Sequence, residues 1–119
     1  LTVVVPVATK GTLNSREHWA ARARRVKGER GAVLRCLIRV SCHPPVALVI
    51  AKPLRVTLTR VNGGKMDGDN LQGCLKACRD AVALDWFKRD DADPRFDWRY
   101  AQEPGRGPAQ VRITFEVGT

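Results

Sequence analysis

Residues 65–93 constrain the fold most, because they contain an amphipathic helix between two acidic clusters. At 100° per residue, apolar side chains recur on one side with the spacing of a buried helical face. They are Leu71, Cys74, Leu75, Cys78 and Val82. The opposite side carries Asp69, Gly73, Lys76 and Asp80. The sequence therefore predicts a helix that packs one face on a core and presents a polar face to solvent.

Acidic residues stand at both ends of this helix, in Asp67-Gly68-Asp69-Asn70 and in Asp90-Asp91-Ala92-Asp93. Carboxylates clustered where a chain enters a helix suit a hard divalent cation such as Mg²⁺, which prefers oxygen ligands. Without a cation the acids repel one another. Asp69 and Asn70 are equally good helix-capping residues, so both interpretations stay open for them. Capping of this helix gives no role to Asp67 or to the Asp90-Asp91 pair.

Spacing argues against several other binding motifs. An EF-hand loop that starts at Asp67 needs an oxygen ligand in place of Leu71 and a Glu in place of Cys78. The four cysteines fit neither a usual zinc spacing nor a clear disulfide framework, which favours reduced thiols and a cytoplasmic location. No apolar run approaches the roughly 20 residues of a membrane span, so no membrane association is expected.

The pattern Asp67-x-Asp69-Asn70-Leu71-Gln72, followed by a helix and by Asp90-Asp91-Ala92, resembles the RusA-type Holliday junction resolvases. These are small endonucleases of phages and prophages, and the resemblance runs over most of the chain. It implies that Asp67, Asp69 and Asp91 bind Mg²⁺, with Mn²⁺ as an alternative. Asn70 and Asp90 are the supporting residues that it implies.

The resemblance also implies a function, which is Mg²⁺-dependent cleavage of four-way DNA junctions without a small-molecule cofactor. Such a junction has near-twofold symmetry and needs two opposed nicks, so a homodimer with two active sites is expected. Two alternatives remain open. One is a nucleic-acid-binding module without catalysis, and the other is a nuclease of the same fold that prefers flaps or forks.

A lysine on the helix after the aspartate motif is required in that family, often four residues after the second aspartate. In this chain Gly73 occupies that position. Lys76 lies one turn further along the same side, and its long side chain leans towards the helix N-terminus, so it can point back to the acids. Lys76 is therefore the candidate catalytic lysine. The alternative is an exposed lysine paired with Asp80.

The remaining sequence predicts an α+β protein in a single domain that spans residues 1–119, with a mixed four-stranded sheet flanked by two helices. Alternating or β-branched segments predict strands at residues 2–7, 54–61, 95–102 and 110–117. The last two strands read as a β-hairpin with a long tip. The chain order is β-α-β-α-β-β, as the RusA resemblance also implies.

The first helix is expected to begin at an N-cap in Asn14-Ser15 and to end near Ser41, before Pro44 and Pro45. Gly28 and Gly31 weaken its middle. Its predicted buried residues are Trp19, Val26, Val33, Leu37 and Val40.

Charge is distributed unevenly along the chain, whose formal net charge is +9. Residues 10–60 carry 12 basic and 2 acidic side chains, whereas residues 65–103 carry 7 basic and 9 acidic ones. A basic region beside a carboxylate cluster favours DNA contact, against the alternative of a solvated helix. The basic residues predicted to contact DNA, as a sleeve around the first helix and one loop lysine, are Arg16, Arg22, Arg24, Arg25, Lys27, Arg30 and Lys65.

Overall fold

Four strands form one mixed sheet in the computed structural model of the protein, which describes residues 1–9 and 18–117. The strands are β1 (Thr2–Val5), β2 (Leu54–Val61), β3 (Phe96–Glu103) and β4 (Gln110–Val117). Their order across the sheet is β1-β4-β2-β3. Strand β4 is antiparallel to both β1 and β2, whereas β3 is parallel to β2. The predicted α+β class and the mixed four-stranded sheet are confirmed.

Helices connect these strands in the predicted chain order. They are α1 (Trp19–Val40), the short α2 (Val46–Val49), α3 (Gly68–Cys74) and α4 (Lys76–Asp80), followed by a π-helical segment (Ala81–Phe87). The second predicted helix is thus interrupted at Leu75 and widens after Asp80. No helix in the described part of the chain is long and apolar enough to cross a membrane.

The prediction of a hairpin between the last two strands is wrong. Strand β3 pairs in parallel with β2, because the helical crossover through α3 and α4 returns the chain to the same end of the sheet. Since β3 occupies one side of β2, β4 pairs on the other side. The connection between β3 and β4 passes the end of β2 at Asn62, whose Nδ2 donates to the carbonyl oxygen of Pro108 at 3.1 Å.

The core lies between the helices and the sheet face that carries Leu54, Val56 and Leu58, each at most 1% exposed. The predicted apolar face of the second helix contributes to the same cluster. All five of its residues are buried, namely Leu71, Cys74, Leu75, Cys78 and Val82. Burial raises the pKa of the Cys78 thiol to about 12, so this cysteine behaves as a small apolar side chain.

Helix α1 buries less of its predicted apolar face than the pattern suggests. Val33 and Leu37 are fully buried and Val26 is half-buried, but Trp19 is 76% exposed and Val40 is 48% exposed. A helix of 22 residues is about 33 Å long, whereas an eight-residue strand spans about 26 Å. The two ends of α1 therefore extend beyond the core that its middle covers.

The N-terminus of α1 is capped by His18, whose Nδ1 accepts a hydrogen bond from the Ala20 amide at 3.2 Å. The predicted cap at Asn14-Ser15 lies outside the described residues. At the other end, Ser41 follows the last helical residue and its amide donates to the Leu37 carbonyl, as expected for a helix that ends before the two prolines. Gly28 and Gly31 do not interrupt α1.

Candidate functional site

Asp67 caps helix α3. Its backbone is extended, and its Oδ1 accepts a hydrogen bond from the Asn70 amide at 2.8 Å. The expectation that capping gives Asp67 no role is therefore wrong. The helix begins at Gly68, two residues earlier than a cap at Asp69 would imply and three earlier than a cap at Asn70. An N-cap aspartate satisfies an amide that the helix leaves unpaired and lies at the positive end of the helix dipole.

Asp69 and Asn70 stand in the first turn of α3. The Asp69 side chain is exposed, and within the described part of the chain it has no hydrogen bond or ion pair. The Asn70 Oδ1 is buried and has no hydrogen-bond partner. A buried carbonyl oxygen without a partner is unfavourable. The buried Asn70 Oδ1 is therefore an unsatisfied acceptor in the first turn of α3, next in sequence to the exposed carboxylate of Asp69.

Lys76 joins the helix to the acidic pair that follows it. Its Nζ donates to Asp80 Oδ1 at 2.8 Å and to Asp91 Oδ2 at 2.9 Å. Burial lowers the pKa of Lys76, but the hydrogen bonds to Asp80 and Asp91 outweigh that effect and raise the pKa above its usual value. The predicted pairing with Asp80 thus occurs together with a contact to Asp91, and Lys76 stays positively charged at neutral pH.

Arg79 provides a second cation on Asp91. Its Nε lies 2.8 Å from Asp91 Oδ2, and its Nη2 donates to the Asp91 carbonyl oxygen at 3.2 Å. The hydrogen bond from Lys76, with the charges of Lys76 and Arg79, holds the pKa of Asp91 below its usual value. Asp91 is therefore a carboxylate between two cations.

Strand β3 holds this region in place through a row of side chains on its helix-facing side. Trp98 Nε1 donates to the Asp91 carbonyl at 2.8 Å, and the Tyr100 hydroxyl accepts from Arg79 Nη1 at 2.8 Å. Gln102 exchanges two hydrogen bonds with the Met66 backbone, at 2.9 and 2.7 Å. The guanidinium of Arg79 also lies over the Trp98 ring, 4.8 Å from its centroid. This row fixes both acidic segments to one strand.

The same row sets the two acidic segments apart. Trp98 contacts the Asp91 segment and Gln102 contacts the segment just before Asp67, and four residues of strand span about 13 Å. Along the helix, Asp69 and Lys76 are seven residues apart, or about 10 Å. The structure brings Asp91, Lys76 and Asp80 together, and it places Asp67 and Asp69 at the other end of the row.

Asp90 and Asp93 stabilise the turn before β3. Asp90 Oδ1 accepts from the Ala92 amide at 2.8 Å, and Asp93 Oδ1 accepts from the Arg95 amide at 2.9 Å. Both are local contacts typical of aspartate in turns. Asp90 therefore supports the site by shaping the loop that carries Asp91.

A divalent cation fits the donor chemistry at the start of α3 better than it fits Asp91. Asp67, Asp69 and Asn70 offer carboxylate and amide oxygens there, which are the ligands that Mg²⁺ prefers, and the Asn70 Oδ1 is buried without a hydrogen-bond partner. Asp91, the third predicted ligand, is occupied by Lys76 and Arg79. Among the residues that the structure describes, no three His, Cys, Asp or Glu side chains form a group able to hold a metal ion.

Arg25 and Arg30, both predicted to contact DNA, form ion pairs within the protein. Arg25 pairs with Glu29, which is buried, at 3.2 Å. Arg30 donates two hydrogen bonds to Asp85, at 2.6 and 2.8 Å, and so joins α1 to the π-helical segment. Arg22, Arg24, Lys27 and Lys65 are exposed, and Arg16 lies outside the described residues.

The Arg30–Asp85 pair predicts a pH-dependent contribution to stability. The hydrogen bonds from Arg30 lower the pKa of Asp85. The stabilisation is therefore complete above about pH 4, which is the pKa of an aspartate in the unfolded chain. It is lost as the pH falls through the lower pKa that Asp85 has in the folded protein. We expect Asp85→Asn to lower the unfolding free energy at pH 7 by roughly 1 kcal/mol.

Thermal unfolding of the wild-type protein and of the Asp85→Asn variant between pH 7 and pH 2 measures this effect. The difference in Tm between them should shrink below pH 4. Glu103→Gln is a matched control, because its pair with Arg112 is more exposed and should contribute less. A difference in Tm that stays constant down to pH 2 would contradict a stabilising role of the Arg30–Asp85 ion pair.

A comparison with protein-family models finds no match for this chain, and a comparison with curated protein sequences finds none either. Function is therefore inferred from the residues themselves and from their contacts.

Proposed function

We propose that the protein is a Mg²⁺-dependent, structure-specific endodeoxyribonuclease that resolves four-way DNA junctions by paired phosphodiester hydrolysis. The proposal combines the aspartate motif, with its resemblance to RusA-type resolvases, and the contacts around Asp91. It places the protein in the cytoplasm, where the DNA of a bacterium or of an infecting phage is found.

The observation that carries the proposal is the contact between Lys76 and Asp91, 2.9 Å from Nζ to Oδ2. These residues are 15 positions apart and belong to the two halves of the motif, the helix that starts at the aspartates and the later acidic pair. Their contact puts a lysine beside the aspartate of the later acidic pair, although Gly73 stands where the family often has its lysine. Lys76 points towards Asp80 and Asp91 and not back to Asp67 and Asp69. Lys76 is therefore the residue that we assign to the lysine's role.

Asp67, Asp69 and Asn70 would hold the Mg²⁺ at the start of α3. Asp91, the third ligand that the resemblance implies, lies at the other end of the row on β3 and would join them only if its ion pairs with Lys76 and Arg79 opened. A bound Mg²⁺ supplies Lewis-acid activation of water and neutralises charge on the phosphate. Lys76 contributes a fixed positive charge. Its raised pKa keeps it protonated at neutral pH, so it stabilises negative charge on a phosphate oxygen rather than accepting a proton from water.

Arg79, Trp98 and Tyr100 have a positioning role in this proposal. They hold the Asp91 backbone and carboxylate against β3 through the contacts at 2.8 to 3.2 Å described above. Fixed side chains of this kind reduce the reorganisation that catalysis requires. Two such sites in a homodimer would serve the two strands that a four-way junction presents for cleavage.

A nucleic-acid-binding module without catalysis is the second candidate function. It is favoured by the ion pairs on Asp91, the capping role of Asp67 and the separation of the two acidic segments along β3. In that case the aspartates organise the fold, and the basic surface of the protein does the binding.

A cleavage assay tests the proposal directly. We expect the wild-type protein to introduce paired nicks into a synthetic four-way junction in the presence of Mg²⁺ or Mn²⁺, and no nicks in the presence of EDTA. A linear duplex of the same sequence is the control and should remain intact. Flap and fork substrates separate a junction resolvase from a nuclease with another preference. Binding of the junction without cleavage under any metal condition would favour the binding module.

A further inference from the structure

The solvent side of α1 carries a basic ridge, which consists of Arg24, Lys27, Gly28, Gly31, Arg35 and Arg39, with the exposed Ile38 on the same side. At 100° per residue these positions fall within an arc of about 120°, and the centre of that arc is opposite the side that buries Val33 and Leu37. The ridge therefore faces away from the core. It includes two arginines, Arg35 and Arg39, that lie beyond the densest basic segment of the sequence.

The four cations of the ridge have no acidic partner in the part of the chain that the structure describes. In this they differ from Arg25 and Arg30 on the flanks of the same helix, which pair with Glu29 and Asp85. Four unpaired positive charges on one side of a helix repel one another and release counterions when they meet phosphates. This pattern favours an anionic surface as partner.

Two glycines form a low saddle in the middle of the ridge. A Cβ atom added at Gly28 would have no heavy atom within 4 Å, so the glycine is not required by packing inside the protein. At Gly31 an added Cβ would lie 3.2 Å from the Arg35 guanidinium, which therefore lies low over the saddle. Glycine inside a helix costs up to about 1 kcal/mol relative to alanine. At Gly28 the saddle lets a partner approach the helix backbone, whereas at Gly31 the Arg35 side chain lies over it.

The distance between the two pairs of cations on the ridge, Arg24 with Lys27 and Arg35 with Arg39, is similar to the width of the DNA major groove. Arg24 and Arg35 are 11 residues apart, or about 16 Å along the helix, whereas the major groove is about 12 Å wide. The two pairs of cations can thus reach the phosphates on the two sides of one groove. Side chains that reach phosphates hold a duplex without reading its sequence.

We propose that the basic ridge of α1 binds the phosphate backbone of a duplex arm, with the saddle at Gly28 and Gly31 against the DNA. The inference rests on the proposed function for the choice of DNA as partner, and it identifies the surface that holds the arms of the junction. It transfers the binding role from Arg25 and Arg30 to Arg35 and Arg39.

The charge test compares two double variants with the same change in net charge. Arg35→Gln with Arg39→Gln removes two ridge cations, whereas Lys52→Gln with Arg106→Gln removes two exposed cations in loops. Each lost phosphate contact lowers the slope of log K against log salt by about 0.9, which corresponds to about fivefold weaker binding at 0.15 M salt. We expect the ridge variant to bind a duplex and a four-way junction about 25-fold more weakly in EDTA, and the loop variant to bind nearly as well as the wild type.

The steric test uses two substitutions that leave the charge unchanged. Gly28→Gln fills the saddle and should weaken binding several-fold, whereas Ala23→Gln adds the same side chain to an exposed position of α1 off the ridge and should not. Circular dichroism and Tm confirm that each variant is folded.

The binding tests are independent of cleavage, since they are made in EDTA. Equal losses of DNA affinity in the ridge and loop variants, or no binding by the wild type, would contradict DNA binding by the ridge. If the protein binds DNA through the ridge but cleaves no substrate, the ridge proposal is supported and the nuclease proposal is rejected.

Discussion

We expect the Asp69→Asn variant to bind a four-way junction at least as tightly as the wild-type protein and to cleave it on the order of 10³-fold more slowly. Asparagine has nearly the same shape as aspartate but lacks the charge that a divalent cation requires. Removing one negative charge from a surface that faces phosphates should leave affinity unchanged or increase it. Gel-shift titrations in Ca²⁺ and single-turnover cleavage in Mg²⁺ measure the two quantities separately.

Asp69 is a better test than Asp67, because the structure gives the two aspartates different roles. Asp67 accepts the Asn70 amide as the N-cap of α3, and replacing a capping aspartate typically costs about 1 kcal/mol. A loss of activity in an Asp67 variant would therefore combine lost chemistry with a weakened helix. The Asp69 carboxylate has no hydrogen bond or ion pair in the described part of the chain, so its replacement changes little else.

Asp97→Asn is the matched control for Asp69→Asn. Asp97 pairs with Arg55 and Arg99 on the sheet face that points away from the helices, and its loss changes the net charge equally. We expect that control to cleave like the wild type. If Asp69→Asn also cleaves at the wild-type rate, Asp69 is not a metal ligand. If the wild-type protein does not cleave at all, the aspartates are structural and the binding module is the better account.

Periodicity was sufficient to predict which residues enter the core of the regular elements. The alternation from Leu54 to Val61 gave the bounds of β2, and the helical spacing from Leu71 to Val82 gave five residues that are all buried. Both patterns have a direct physical cause, since side chains repeat every two residues in a strand and every 3.6 in a helix. The class of the fold follows from the order of these elements.

Periodicity could not predict which strands pair or how far the core extends. The alternation in β3 and β4 defines a buried face but carries no information about the neighbouring strand, and β3 is parallel to β2 because of the helical crossover. Similarly, Trp19 lies at the correct angle on the α1 wheel, but nothing in the wheel indicates that α1 extends past the sheet. The choice of neighbouring strand and the extension of α1 past the sheet depend on how the helices and the sheet pack together, which no single segment specifies.

The row on β3 is the part of the site that the sequence analysis missed. Trp98, Tyr100 and Gln102 alternate along one strand and each carries a polar group that can reach a backbone or a guanidinium. An alternating strand with amphipathic aromatic side chains on its core face is a detectable pattern, because buried Trp and Tyr usually find hydrogen-bond partners. The capping role of Asp67 was missed for another reason, since helix ends shift by a residue or two in any prediction.

The second large effect that we expect concerns the two tryptophans at opposite ends of the helical layer. Trp86 is 3% exposed, packs against Phe87 and Phe115, and donates from Nε1 to the Ser41 carbonyl at 3.1 Å. Trp86→Ala removes a large buried side chain and leaves the Ser41 carbonyl without its donor. We expect the unfolding free energy to fall by about 3 to 5 kcal/mol, a large fraction of the stability of a domain of this size.

Trp19→Ala is the matched control, because it makes the same substitution at a residue that is 76% exposed. We expect a change within about 0.5 kcal/mol, as for most surface substitutions. Chemical denaturation with urea measures both values on one scale, and the slope with denaturant should be the same for the two variants and the wild type. A large loss in the Trp19 variant would place Trp19 in the core, as its position on the helical wheel suggests, and would contradict the overhang of α1. A small loss in the Trp86 variant would contradict the packing of the π-helical segment against the sheet.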